Sequence, residues 1–138
     1  MDSQPEIIEA KEASYLYTQV STIQQAGNGL FTAMPIYKNE VIAIFKGKIL
    51  SNQQARQLAE AKLDGYFINM VNGSIMDSRN TKCFAKYAND ALSKNKNNAQ
   101  ITLDSNNKVC LQALRDIASG EEIFCSYGKK YWAHFDSK

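Results

Sequence analysis

A single domain built mainly of short β-strands, with short helices, is the fold class this sequence predicts. Three observations carry that expectation. Short runs of strand-forming residues recur along the chain, each bounded by Asn, Gly, Asp or Ser. Only one stretch, 52–63, is filled with good helix formers. The 138 residues, 44% apolar and 22% charged, suffice for one ordinary globular core.

The elements follow in order. Residues 1–14 are polar and read as a flexible N-terminal extension, with the makings of a short helix around Glu6, Glu9 and Glu12. Tyr-Leu-Tyr-Thr-Gln-Val at 15–20 reads as a first strand. Gly27, Asn28 and Gly29 then make a tight loop with bare backbone before the apolar Leu30 and Phe31. Residues 35–40 form a turn, 41–45 a buried strand, and 46–50 turn into another. Ser51 is an N-cap for an amphipathic helix over 52–63, with Ala55, Leu58, Ala59 and Lys62 on one face and Asp64-Gly65 as its stop. Asn72-Gly73, between strand-like 66–71 and 74–77, predicts a type I′ hairpin. One or two helical turns fit within 81–91, and 93–98 is a polar loop. A second hairpin joins 99–103 to 108–113 around 104–107. Gly120 leads through Glu121 and Glu122, acidic residues that favour water, into Ile123, Phe124, Cys125, Ser126 and Tyr127, where Gly128 stops the strand. Tyr131 and Trp132 follow in a tail suited to a short helix. That end of the chain is either a core strand plugged by aromatics or one wall of an aromatic pocket.

Composition excludes several classes. Sixteen basic against 14 acidic residues, net charge +2, leaves no electrostatic footprint for nucleic acid. No apolar run is long enough to span a membrane, and the acidic, polar start does not match a secretory signal. Three cysteines without a CxxC spacing point to reduced thiols in a cytoplasmic or nuclear setting. His134, the lone histidine, reads as a solvated surface residue. There is no Ser-His-Asp order, no metal-spaced set and no phosphate-cradling loop.

The order of segments is more informative than any one of them. Gly27-Asn28-Gly29-Leu30-Phe31 comes early, Asp77-Ser78-Arg79 through Tyr87-Ala88-Asn89-Asp90 lies in the middle, and Leu114 to Ile123 leads to Ser126-Tyr127-Gly128. In this order, from about Tyr15 to Trp132, the chain resembles the SET domain of protein-lysine methyltransferases, and its length resembles the minimal stand-alone SET proteins of viruses and bacteria. The resemblance implies the SET-type β-clip fold: small curved sheets around a C-terminal pseudoknot. It implies S-adenosylmethionine on one face and a target lysine entering from the other through a narrow channel. The cofactor would lie along Gly27, Asn28, Gly29 and Leu30, be held by Asn89 and Asp90 with Lys86 and Tyr87 before them, and be covered by Trp132. Tyr127 matches the family's tyrosine at the methyl-transfer centre, and Tyr66 fits a second channel tyrosine. No metal is implied.

The chemistry suits these residue types. The amine must be neutral to accept a methyl group, yet a free lysine has a pKa of ~10.4. A neighbouring sulfonium charge and an apolar channel both favour the neutral form, so no histidine base is required. The sequence departs from the family in three places. Asn-His-Ser reads here as Asn89-Asp90-Ala91, which bears on cofactor affinity; the cysteine-rich tail is absent; and the position two before Tyr127, usually Phe or Tyr, is Cys125. The smaller Cys125 implies room for di- or trimethylation. The expected partner is a lysine-containing protein, a histone tail before a ribosomal or host protein, with a host nucleus as the site of action if the source is viral or bacterial. The minimal relatives can dimerise, so a homodimer is among the expected states. The alternative is a degenerate SET domain that binds peptide without catalysis.

Overall fold

The structure is a computed structural model that describes residues 5–70, 73–93 and 95–126. In chain order the described elements are α1 (Glu12–Tyr15), β1 (Leu16–Val20), β2 (Asn28–Thr32), β3 (Val41–Ile44), β4 (Lys48–Leu50), α2 (Asn52–Glu60), β5 (Phe67–Asn69), β6 (Ile75–Asp77), a 3-10 turn (Ala85–Tyr87), β7 (Ala99–Leu103), β8 (Val109–Ala113), β9 (Glu122–Ile123) and β10 (Cys125–Ser126). The strands make three small sheets, ordered β1-β2-β9, β10-β7-β8-β3 and β4-β6-β5. Only β10 on β7 is parallel; the other strand pairs are antiparallel. The mainly β class with short helices is the one the sequence predicts.

Helix α2 starts as expected. Ser51 Oγ accepts the Gln54 N–H at 3.1 Å and Gln54 Oε1 accepts the Ser51 N–H at 3.0 Å, a complete capping box. It stops earlier than the composition suggests. Lys62 takes φ +62, and Lys62 N–H bonds to the Ala59 carbonyl at 2.9 Å while Leu63 N–H reaches back to Leu58 at 2.8 Å. That is a Schellman stop with lysine in the left-handed position where glycine is usual, so Asp64-Gly65 is not the terminator and Lys62 is not on the helix face. Ala55 and Leu58 pack on Leu50, Phe67 and Ile75, a small cluster on one face of the β4-β6-β5 sheet.

The hairpins form where predicted. Pairing of Asn69 with Ile75 leaves residues 71–73 between Met70 and Ser74. Gly73 has φ +92, and its N–H bonds to the Met70 carbonyl at 3.0 Å. Val71 and Asn72 lie outside the described residues, and with them the type I′ turn expected at Asn72-Gly73. The hydrophobic faces decide the register. The observed register puts Phe67 and Ile75 against α2 and Ile68 and Met76 in the main core, and a slip by one residue would reverse them. The second hairpin repeats the device, with Asn107 at φ +64 and the Asp104 carboxylate accepting the Asn106 and Lys108 N–H groups.

The main core runs from Tyr15, Leu16 and Leu30 through Ile42, Ile68 and Leu111 to Ile123 and Cys125. Of the segment expected to be a loose extension, residues 5–14 are described, and they bond to the body. Glu6 bridges to Glu40, and Glu12 Oε2 accepts the Ile44 N–H at 2.9 Å.

The last described strand is threaded. The peptide unit between Phe124 and Cys125 is bonded on both sides. Its carbonyl accepts the Asn98 and Ala99 N–H groups, each at 3.0 Å, and its N–H donates to the Asn89 carbonyl at 2.9 Å. Asn98 adds its side chain: Oδ1 accepts the Phe124 N–H at 2.8 Å and Nδ2 donates to the Glu122 carbonyl at 3.0 Å. The loop from Asn89 to Asn98 therefore clasps the segment between its two ends. Its own neck is tied by Asn97, whose Oδ1 accepts the Ala91 N–H and whose Nδ2 donates to Asp90. This is the C-terminal pseudoknot that the resemblance implies, an exception to the rule that chains avoid threading.

Asn98 is 2% exposed, so Asn98→Ala strands the Glu122 carbonyl and the Phe124 N–H in a buried place. The expected loss is about 2–4 kcal/mol of folding stability, read from urea midpoints; a change below ~0.5 kcal/mol, the usual range for a featureless surface site, would show the clasp to be dispensable.

Candidate functional site

The site is built where β2, the 3-10 turn and the threaded strand meet. Gly27 has φ +74, and a Cβ there would meet nothing within 4 Å, so the loop before β2 presents open backbone. Gly29 is glycine for another reason: a Cβ on it would run into the Glu122 carboxylate. Glu122 is 5% exposed. Its Oε2 accepts Ser21 Oγ–H at 2.6 Å, and its Oε1 accepts both the Thr22 N–H at 2.7 Å and Thr22 Oγ1–H at 2.6 Å. The sequence reading that gave Glu122 to water is thus corrected, because three donors from the Ser21–Thr22 corner replace its hydration. Leu30 is fully buried in the core opposite Ile123, so only its backbone can border a ligand.

Asn89 joins this loop to the middle segment, its Nδ2 donating to the Asn28 carbonyl at 3.2 Å. Its backbone carbonyl meanwhile holds Cys125. Asp90 turns back on its own loop, Oδ1 accepting the Leu92 N–H at 2.7 Å and Asn97 Nδ2 at 3.1 Å. Arg115 closes the same loop from another side, donating to the Asn97 and Lys96 carbonyls. It borders an open groove of about 400 Å³ with Thr22, Phe31, Asn98 and Phe124.

Lys86, Tyr87 and Tyr66 form a second grouping. The Lys86 ammonium donates to the Ser78, Arg79 and Thr81 carbonyls at 3.1, 3.1 and 3.0 Å. All three of its protons are engaged, so its part is to hold the 78–81 loop, with no proton left for a cofactor. It also lies 5.5 Å from the Tyr66 ring centre and 5.4 Å from that of Tyr87, with the Arg79 guanidinium 5.6 Å from the Tyr66 ring. Tyr66 is 36% exposed and borders a narrow cleft with Phe45, Ile68 and Ser78.

Cys125 is fully buried in the core. Burial, and then the Asp90 carboxylate, hold its thiol far above the ordinary range, so it is protonated. Burial followed by Asp104 pushes Cys110 from 9.0 up to about 12. Tyr127 and Trp132 lie outside the described residues. The last described residue, Ser126, pairs with Gln100. Gly27, Asn28 and Asn89 are therefore brought together, Tyr66, Lys86 and Tyr87 are brought together, and Cys125 is part of the threaded strand itself. Asn69, Asn98 and Glu122 carry no motif that singles them out in the sequence.

Gly29→Ala is expected to displace the Glu122 carboxylate and cost about 2–4 kcal/mol. In a Glu122→Ala background the same change should cost under ~1 kcal/mol, because the obstructing group is gone; additive costs in urea melts would refute the coupling. For Cys110 the folded pKa is raised, so its contribution is complete below about pH 9 and is lost as pH rises toward 12. Unfolding free energy should therefore fall over that range more steeply in the wild type than in Cys110→Ala, and equal slopes would show the thiol to be uninvolved.

Known proteins share the fold of this chain. Two solved structures superpose on it, both of a humanized mutant of the Chaetomium thermophilum Polycomb Repressive Complex 2. The one bound to the inhibitor GSK126 gives a TM-score of 0.73 at 22% identity, and the one bound to GSK343 gives 0.72 at 23% identity. Each alignment takes in 84% of this chain but only 15% of the other, so this chain spans a small part of those proteins, and the likeness shows a common fold. The family described as SET domain matches residues 27–128, most of the chain, which takes in Gly27, Asn89 and Cys125. The chain belongs to the SET domain family.

Proposed function

We propose that the chain is an S-adenosylmethionine-dependent methyltransferase acting on the ε-amine of a protein lysine, a histone tail first among the candidates. The observation that carries this reading is the family match over residues 27–128, which includes Gly27, Asn89 and Tyr127. When bound, S-adenosylmethionine supplies an electrophilic methyl group on a cationic sulfur, whose charge also disfavours a protonated amine beside it. The residues fit such a guest. Gly27 offers open backbone, and Asn89, with Nδ2 turned to Asn28, has an Oδ1 unengaged by any described residue. Trp132 is proposed to cover the adenine.

The target segment is assigned to the outer edge of β5. Among the described residues no strand pairs there. The Met70 N–H bonds to the Ser74 carbonyl, so by alternation Asn69 turns its own N–H and C=O away from β6. Tyr66, just before β5, and Tyr127 are proposed to line the channel, exclude water from the amine and hold it in line. Such positioning supplies up to roughly 7–11 kcal/mol of barrier lowering. Asp90 replaces the family's histidine, and its carboxylate closes the loop that clasps the threaded strand. The small, neutral Cys125 favours more than one methyl addition.

Transfer of tritiated methyl from S-adenosylmethionine to core histones and to a cell lysate tests the proposal, with wild type beside Tyr127→Phe and with mass spectrometry of the product. The expected result is one labelled protein carrying di- or trimethyl-lysine, and a loss of about a hundredfold or more in the variant without a change in melting temperature. The absence of both methyl transfer and calorimetric cofactor binding would overturn it.

A further inference from the structure

Asn69 is the one side chain among the described residues with two buried polar atoms, its amide nitrogen and oxygen, that both lack a hydrogen-bond partner. It is 6% exposed. Buried amides in folded proteins are nearly always paired, so this one calls for a partner. It lies in the middle of a row fixed by register: Leu50 opposite Ile75, and Ile75 opposite Asn69. Leu50, Ile75 and Phe67 belong to the cluster under α2, so the Asn69 side chain shares that face. It stands on the strand farthest from β4, where the sheet has no further neighbour among the described residues. Tyr66 is three positions earlier, and the pleat puts it on the opposite face, with Ile68.

We infer that Asn69 reads the target chain. A segment laid along β5 with its lysine on the Tyr66 face carries, three residues away, a side chain on the α2 face opposite Asn69. Three is odd, so the same pleat that sends the lysine to one face sends this side chain to the other. An Asn amide both gives and accepts a hydrogen bond. Ser, Thr, Asn or Gln in the target answers both needs, and an apolar residue leaves the amide orphaned. The selected position is three before or three after the lysine, according to strand direction. The inference rests on the proposed function only in letting Tyr66 mark the lysine.

The test uses the full chain, wild type and Asn69→Leu, against peptides with a fixed lysine and varied residues at the two positions three away. In the wild type, kcat/KM should favour a hydroxyl or carboxamide side chain over alanine by about tenfold at one of the two positions, the equivalent of about 1.4 kcal/mol. Asn69→Leu should lose that preference while still methylating the alanine peptide; Asn69→Ala serves if the leucine variant misfolds. A wild type indifferent at both positions, or a preference kept by the variants, overturns the inference. Peptide binding by fluorescence anisotropy separates the two proposals. Selective binding without methyl transfer would sink the enzyme and keep the reader, whereas uniform binding sinks the reader whatever the activity.

Discussion

One peptide unit, between Phe124 and Cys125, is the constraint on which the rest of the structure depends. Its carbonyl and its N–H are held by opposite ends of the loop from Asn89 to Asn98. Within five residues the chain finishes the β1-β2-β9 sheet, passes the loop and opens the β10-β7 pairing. A shift by one residue would break all three engagements together. The constraint also bears on folding. The contacts that close the clasp join segments far apart in sequence, and such contacts come late because loop closure must precede them.

Two buried or part-buried charges brace the site from outside, and neither is paired with an opposite charge among the bonds described. Glu122 is satisfied by donors from Ser21 and Thr22, and Lys86 by three carbonyls of the 78–81 loop. Burying a charge is costly unless its bonds to water are replaced, and here neutral dipoles replace them. Each arrangement pins a loop that borders the site. The geometry suits a lysine here. Three carbonyls converge on one point, which matches an ammonium better than a flat guanidinium.

How much of this the sequence discloses depends on the distance over which each feature is determined. The Ser51 capping box and both hairpin positions are local and were legible. The stop at Lys62 was not, because nothing in lysine announces a left-handed backbone. The register of the first hairpin falls to the faces that Phe67 and Ile68 bury on opposite sides of the sheet. Glu122 looks like a surface acid until Thr22, 100 residues away in sequence, is seen to hold it. Gly27, Asn28 and Asn89 were legible as a site only through the order of segments. Gly29 was legible as a glycine but for a different reason, since its missing side chain accommodates a carboxylate. Asn69 has no motif at all, and only its burial and its place on an edge strand single it out.

Asn89 is where fold and site cannot be separated. Its carbonyl holds the threaded strand, its side chain holds the loop at Asn28, and its neighbour Asp90 ties the neck of the clasp. Aspartate, in place of the family's histidine, bonds to the Leu92 N–H and to Asn97 within its own loop. Its contribution is thus to the position of Asn89, transmitted through one peptide bond. A change at Asp90 would loosen the clasp and turn Asn89 away from Asn28 together. Stability and ligand affinity should then fall in step at this position.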